Sequence, residues 1–90
     1  MRAIHYHEKS LNDFQSGLDY YDNISVLLGD RFEKDFWDTI EKIKMNPLHF
    51  QVRYLDVRVA FLEYFPFSIH FIADNNLIEV ITVLHSKRDY

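Results

Sequence analysis

The 90-residue chain has no cysteine. That removes disulfides, thiolate catalysis and every cysteine-based zinc or iron–sulfur site, and it fits a reducing cytosol. Glycine and proline are scarce, two of each, which excludes collagen-like and low-complexity chains. Long apolar runs are missing too, so the sequence offers no membrane-spanning helix. The start, Met1-Arg2-Ala3-Ile4-His5, lacks the apolar stretch of a signal peptide, and the predicted location is the cytoplasm. A basic excess is also absent. The formal net charge of −4 counts against strong non-specific binding of phosphate backbones.

What is present is core material. Apolar residues make up 48% of the chain and aromatics 17%, enough to close one hydrophobic core and too much for a disordered chain. The length suits one domain over residues 1–90. Charge is uneven along it. Residues 1–41 hold nine acids and four bases, a balance of −5, whereas residues 42–90 hold five acids and six bases, a balance of +1.

The pattern of apolar residues divides the chain into a helical half and a strand half. Arg2 to His7 reads as a short strand. Ser10 is a helix cap, after which Leu11, Phe14, Leu18 and Tyr21 recur at three- and four-residue steps, predicting an amphipathic helix over 10–22. Gly29 and Asp30 read as a break and a new cap. Phe32, Phe36, Ile40 and Ile43 follow at helical spacing, flanked by Trp37, until Asn46-Pro47 stops the helix. Val57 to Tyr64, Phe67 to Ala73 and Leu77 to His85 are β-branched and aromatic runs separated by turn residues. The expected architecture is α+β: a two-helix hairpin packed on one face of a small antiparallel sheet of three or four strands, in the order β-α-α-β-β-β.

Strand registers follow from the turns. A two-residue Asn75-Asn76 loop pairs Ala73 with Ile78, Phe71 with Val80, Ile69 with Thr82 and Phe67 with Leu84, an apolar face to be covered by the helices. The opposite face then carries Ser68, His70, Ile72, Glu79, Ile81, Val83 and His85. For the preceding strand, a two-residue Phe65-Pro66 loop turns Arg58 into the core, where an unpaired charge costs several kcal/mol. A three-residue loop, or a bulge at Pro66, sends Val57, Val59 and Phe61 to the core instead. That preferred register sets Arg58 on the open face near the histidines.

Taken in order, these features resemble the RelE/ParE toxin superfamily of bacterial toxin–antitoxin modules, including its plasmid-stabilisation members. Tyr20-Tyr21 closes the first helix, Leu28-Gly29…Phe32 opens the second, and Asn46-Pro47 ends it. Val57-Arg58…Phe65-Pro66-Phe67…Ile69 and the terminal Val83-Leu84-His85-Ser86-Lys87-Arg88-Asp89 complete the set, which spans essentially the whole chain. The resemblance implies a toxin neutralised by a cognate protein antitoxin that wraps its helices and sheet. RelE-like members cut mRNA on the ribosome, and ParE-like members poison DNA gyrase. A degenerate toxin that only binds its antitoxin is a further possibility.

If the chain cuts RNA without a metal, the ribose 2′-hydroxyl must lose a proton, the leaving oxygen must gain one, and the phosphorane charge must be neutralised. Histidine and arginine suit those roles. The matching positions are Arg58, His85 and Arg88, with Tyr90 or His70 as a second proton carrier. His5 and His7 share one side of a strand but have no obvious third ligand, so neither a metal nor another cofactor is expected. The aromatic residues of the helices are core residues first, and some are candidates for anchoring an antitoxin.

Overall fold

The computed structural model describes residues 2–86. Its elements are β1 (Ala3–Tyr6), α1 (Glu8–Ile24), α2 (Val26–Met45), a 3-10 turn over Pro47–His49, β2 (Val52–Tyr54), β3 (Val57–Phe61), β4 (Phe67–Ala73) and β5 (Leu77–His85). The two helices form a hairpin over one five-stranded sheet ordered β1-β5-β4-β3-β2. The α+β expectation holds, with two differences. The chain between α2 and β3 contributes an extra edge strand, β2. And β1 lies parallel to β5, making the sheet mixed, because the α1–α2 hairpin carries the chain to the far edge at β2 and the antiparallel run from β2 to β5 then steps back to lie beside the first strand.

The helices differ from expectation at their starts. α1 begins at Glu8, with His7 before it, and Ser10 points inward to donate to the His7 carbonyl at 2.7 Å. The inward stripe is therefore Ser10, Phe14 and Gly17, while Leu11 faces solvent. The cap of α2 is Ser25, whose hydroxyl accepts from the Leu28 amide at 3.0 Å. Gly29 is thus an interior helical residue. Its lack of a side chain lets the helices meet: a Cβ there would lie 2.5 Å from Asp22 Oδ1 and 3.1 Å from Asp22 Cα.

Helix and sheet meet in an aromatic core. Phe14, Phe32 and Phe36 from the hairpin close over Ile69, Phe71, Ile78 and Val80 from the sheet, all buried. Phe32 stacks edge-on to Phe65 and Phe67 at 5.5 and 5.1 Å between centroids. Asp35, 5% exposed, sits on the apolar side of α2 and accepts from the amides of Glu63, Tyr64 and Phe65 at 3.1, 2.8 and 3.1 Å. One buried carboxylate thereby fixes the whole β3–β4 turn, a role that makes its burial affordable.

Two registers depart from expectation, and both matter for function. In β4–β5 the pairs Ala73–Ile78 and Phe71–Val80 are as expected from the Asn75-Asn76 turn, which Asp74 stabilises by accepting from Asn76 and Leu77. A bulge at Ile81 then slips the ladder, so that His70 pairs with Thr82, Ile69 with Val83 and Phe67 with His85. Beyond it every β5 side chain changes face: Val83 is buried under the helices and Leu84 is exposed. In β3–β4, Arg58 pairs with Phe71, Ala60 with Ile69 and Phe61 with Ser68, around a four-residue turn over 63–66. Arg58, Ala60 and Leu62 therefore face the helices, and Val57, Val59 and Phe61 the open side. The desolvation argument against this register does not apply, because the Arg58 guanidinium reaches out of the core to the carbonyls of Phe50 (2.6 Å) and Leu48 (3.4 Å).

Candidate functional site

Of the expected group Arg58, His85 and Arg88, the two described residues, Arg58 and His85, are not brought together. Arg58 sits against the 3-10 turn, opposite Phe71, whereas His85 sits at the far end, opposite Phe67 and edge-on to its ring at 5.0 Å. Four residues along β4 and two strand spacings across put their Cα atoms roughly 16 Å apart, with the core between them. His85 also left the open face when the bulge reversed β5, and now borders a groove beside α1. Arg88 and Tyr90 lie outside the described residues.

The open face carries a different group. His70, nearly buried at the centre of the sheet, has Tyr54 Oη 2.9 Å from Nδ1 and Ser68 Oγ 2.9 Å from Nε2. Burial pushes the His70 imidazole below its ordinary pKa, so it is neutral at pH 7, one ring nitrogen donating and the other accepting. Beside it Arg53 lies over the exposed Phe61 ring at 5.7 Å. At the β1 edge, His7 Nε2 meets Glu79 Oε1 at 3.1 Å and His5 stands edge-on to His7. The sequence carries little signal for Arg53 and Tyr54, since the strand Val52–Tyr54 that holds them is only three residues long. Its turn contains no glycine or asparagine, and Leu55 adopts a φ of 47°.

The helical side is acidic and, at one end, exposed and apolar. Where α1 turns into α2, Tyr20, Ile24, Val26 and Leu27 are 63, 59, 71 and 59% exposed. The signal was in the sequence: Ile24-Ser25-Val26-Leu27-Leu28 is too apolar for an ordinary inter-helix turn. Two grooves flank this tip. One, of about 650 Å³, lies between α2 and the β3–β4 turn, with Leu28, Arg31, Lys34 and Tyr64 on its walls. The other, of about 500 Å³, lies between α1 and the end of the sheet, lined by Asp13, Gly17, Tyr20, Tyr21, Ile24, Phe67, Val83 and His85 among others.

Asp13 closes one side of the second groove. β1 accompanies β5 only over Leu77–Val80, and past that point Asp13 Oδ2 takes the strand's place, accepting from Thr82 Oγ1 at 2.6 Å and the Val83 amide at 3.0 Å. Burial tends to raise the Asp13 carboxyl, but these two bonds and the neighbouring Lys9 outweigh it and hold it below the usual carboxylate range.

No family model and no curated protein matches the sequence. Among solved structures, a chain of one described as "Chromosomal ParDE TA system from P. aeruginosa" superposes with a TM-score of 0.73 at 20% identity, over 97% of this chain and 98% of that one. The likeness establishes a shared fold from end to end. No helix among the described residues is long and apolar enough to cross a membrane.

Proposed function

We propose that this chain is the toxin of a type II toxin–antitoxin pair, neutralised by a small protein partner, and that it acts by binding its target, as ParE-like toxins bind DNA gyrase. The observation that carries this reading is the near end-to-end fold likeness to a chain of a ParDE system. A binding mode is supported by the polar groups. Arg58 is engaged by backbone carbonyls, His85 lies across the core from it, and both nitrogens of the neutral His70 already have partners. Cleavage of mRNA would instead draw on Arg58, His85, Arg88 and Tyr90, brought together on the substrate.

The test is induced expression in bacteria, alone and together with the small polypeptide encoded beside the gene. RNA 5′ ends and plasmid supercoiling are read from the same cells. The expected result is growth arrest with altered supercoiling, relieved by the neighbouring polypeptide, and unphased RNA ends. Codon-phased cuts that vanish in Arg58→Ala or His85→Ala would replace binding with cleavage. Unimpaired growth would overturn the toxin assignment.

A further inference from the structure

His5 and His7 share the outer side of β1, and the sequence shows no third group to join them. The fold supplies one. β1 runs parallel to β5 with His5 opposite Glu79, while Ile4 and Tyr6 turn inward against the core. His5, His7 and Glu79 therefore stand together on the open face. Glu79 lies 72 residues beyond His7 in the chain, so no local spacing announces it.

The distances suit a bound cation. His7 Nε2 and Glu79 Oε1 are 3.1 Å apart. Two donors bound to one tetrahedral ion at about 2.0–2.2 Å are themselves separated by roughly 3.4 Å, so this pair need part only slightly to admit one. The His5 and His7 rings lie 5.4 Å apart between centroids, close to the separation of about 5 Å for two imidazoles on one zinc. As the side chains stand, no three such groups among the described residues already surround one point. His5, however, is exposed at the sheet edge. A histidine–glutamate pair accounts for His7 and Glu79 but leaves His5 idle. Among the described residues no lysine or arginine pairs with Glu79, so its carboxylate has no competing cation. The side chains of His7 and Glu79 are 41 and 39% exposed, which gives an ion a path in from solvent.

The donor set selects the ion. Two imidazoles and one carboxylate suit zinc and neighbouring transition metals, and offer too few oxygens for magnesium or calcium. Three protein ligands leave one position for water. We propose that His5, His7 and Glu79 form a zinc site at the β1 edge, with His5 rotating to complete it. The ion joins the first strand to the last where their ladder ends. There His7 donates to the Val80 carbonyl at 2.9 Å, and α1 begins at the next residue. The proposal does not depend on the toxin reading.

The experiment uses the untagged full chain, freed of metal with a chelator, and follows zinc by calorimetry and thermal unfolding. The expected result is one zinc per chain, with an unfolding midpoint that rises with zinc and not with equal magnesium. Affinity falls as pH is lowered from about 7.5 to 5.5, because a ligating imidazole must be free of its second proton. His5→Ala, His7→Ala and Glu79→Gln each weaken binding at least about ten-fold, whereas His49→Ala on the 3-10 turn changes nothing. Ring signals in NMR spectra of the unaltered chain give a reading that no variant's folding can disturb: His5 and His7 shift on addition of zinc, and His49 and His70 do not. Absence of binding, more than one ion per chain, unchanged affinity in His5→Ala or Glu79→Gln, or shifts spread equally over His49 would overturn the proposal.

Discussion

The two sides of this molecule solve opposite problems. Among the described residues the sheet's open face has no helix over it, yet it hides its polar groups: His70 and Ser68 satisfy one another and Tyr54, and Val57 and Val59 are buried between neighbouring strands. The helical hairpin covers the core, yet its far end leaves Tyr20, Ile24, Val26 and Leu27 in water. Solvent exposure therefore does not follow from which layer is on top. The sheet is finished by lateral contacts between adjacent strands, whereas the hairpin tip projects past the sheet's end and has nothing left to cover. A surface that is apolar without structural need is where function is to be sought.

The largest effect expected is from removing what joins the two sides. Phe32→Ala opens a cavity against Phe14, Phe65 and Phe67 and should cost about 4 kcal/mol in urea unfolding, exposing both faces at once. Asp35→Ala strands three amides of the β3–β4 turn and should cost about 3 kcal/mol. That turn forms one wall of the larger groove, so its loosening should appear as faster amide exchange at 63–65.

Gly17→Ala sets two effects against each other. Alanine favours helix by about 1 kcal/mol. But its Cβ would lie 2.8 Å from Cζ of Phe32, a ring with no room to retreat, and overpacking of a tight core costs about 2 kcal/mol. The net outcome should be destabilisation by about 1 kcal/mol.

The open face should reveal itself through pH. His70 is held neutral by burial, with a folded pKa below the unfolded value of about 6.5, so unfolding takes up a proton once pH falls beneath that value. Stability is complete above about pH 6.5 and declines as pH drops towards the folded pKa. His70→Gln should flatten that decline in urea midpoints measured between pH 7.5 and 5.5. On the helical side, Asp13 has the opposite assignment of charge but the same sign of dependence. Its lowered carboxyl loses stability only as pH falls below the ordinary carboxylate range, so Asp13→Asn alters the acid limb and leaves the neutral one unchanged. The smallest effect belongs to the tip. Ile24→Glu should shift stability by no more than about 0.5 kcal/mol, because that side chain is 59% exposed and takes no part in the core.

Much of the architecture was legible in the chain. The stripe of Phe32, Phe36, Ile40 and Ile43 named the buried face of α2, and Asn46-Pro47 marked its end. Asp74-Asn75-Asn76 fixed the start of the β4–β5 ladder. Face assignments failed at two places for one reason. A strand alternates with a period of two, so one extra residue, as at Ile81, or a turn of four residues in place of three, as at 63–66, inverts everything beyond it. Of the catalytic candidates that the structure describes, Arg58 and His85 each hung on such a parity choice and changed face, whereas His70, on the correctly registered part of β4, kept its expected face.

Local chemistry in the sequence, then, determined the helices, the strands and their turns, because periodicity and capping act within a few residues of one another. It also determined the acidity of the hairpin and the apolar link between its helices. Only the tertiary structure decided which side of the sheet each functional side chain occupies, that Arg58 would be engaged by two carbonyls, that Asp35 would hold a turn 28 residues away, and that Asp13 would guard a strand edge 70 residues away. Those outcomes depend on register and on contacts between distant segments, and a one-residue slip that leaves local preferences almost unchanged reverses them.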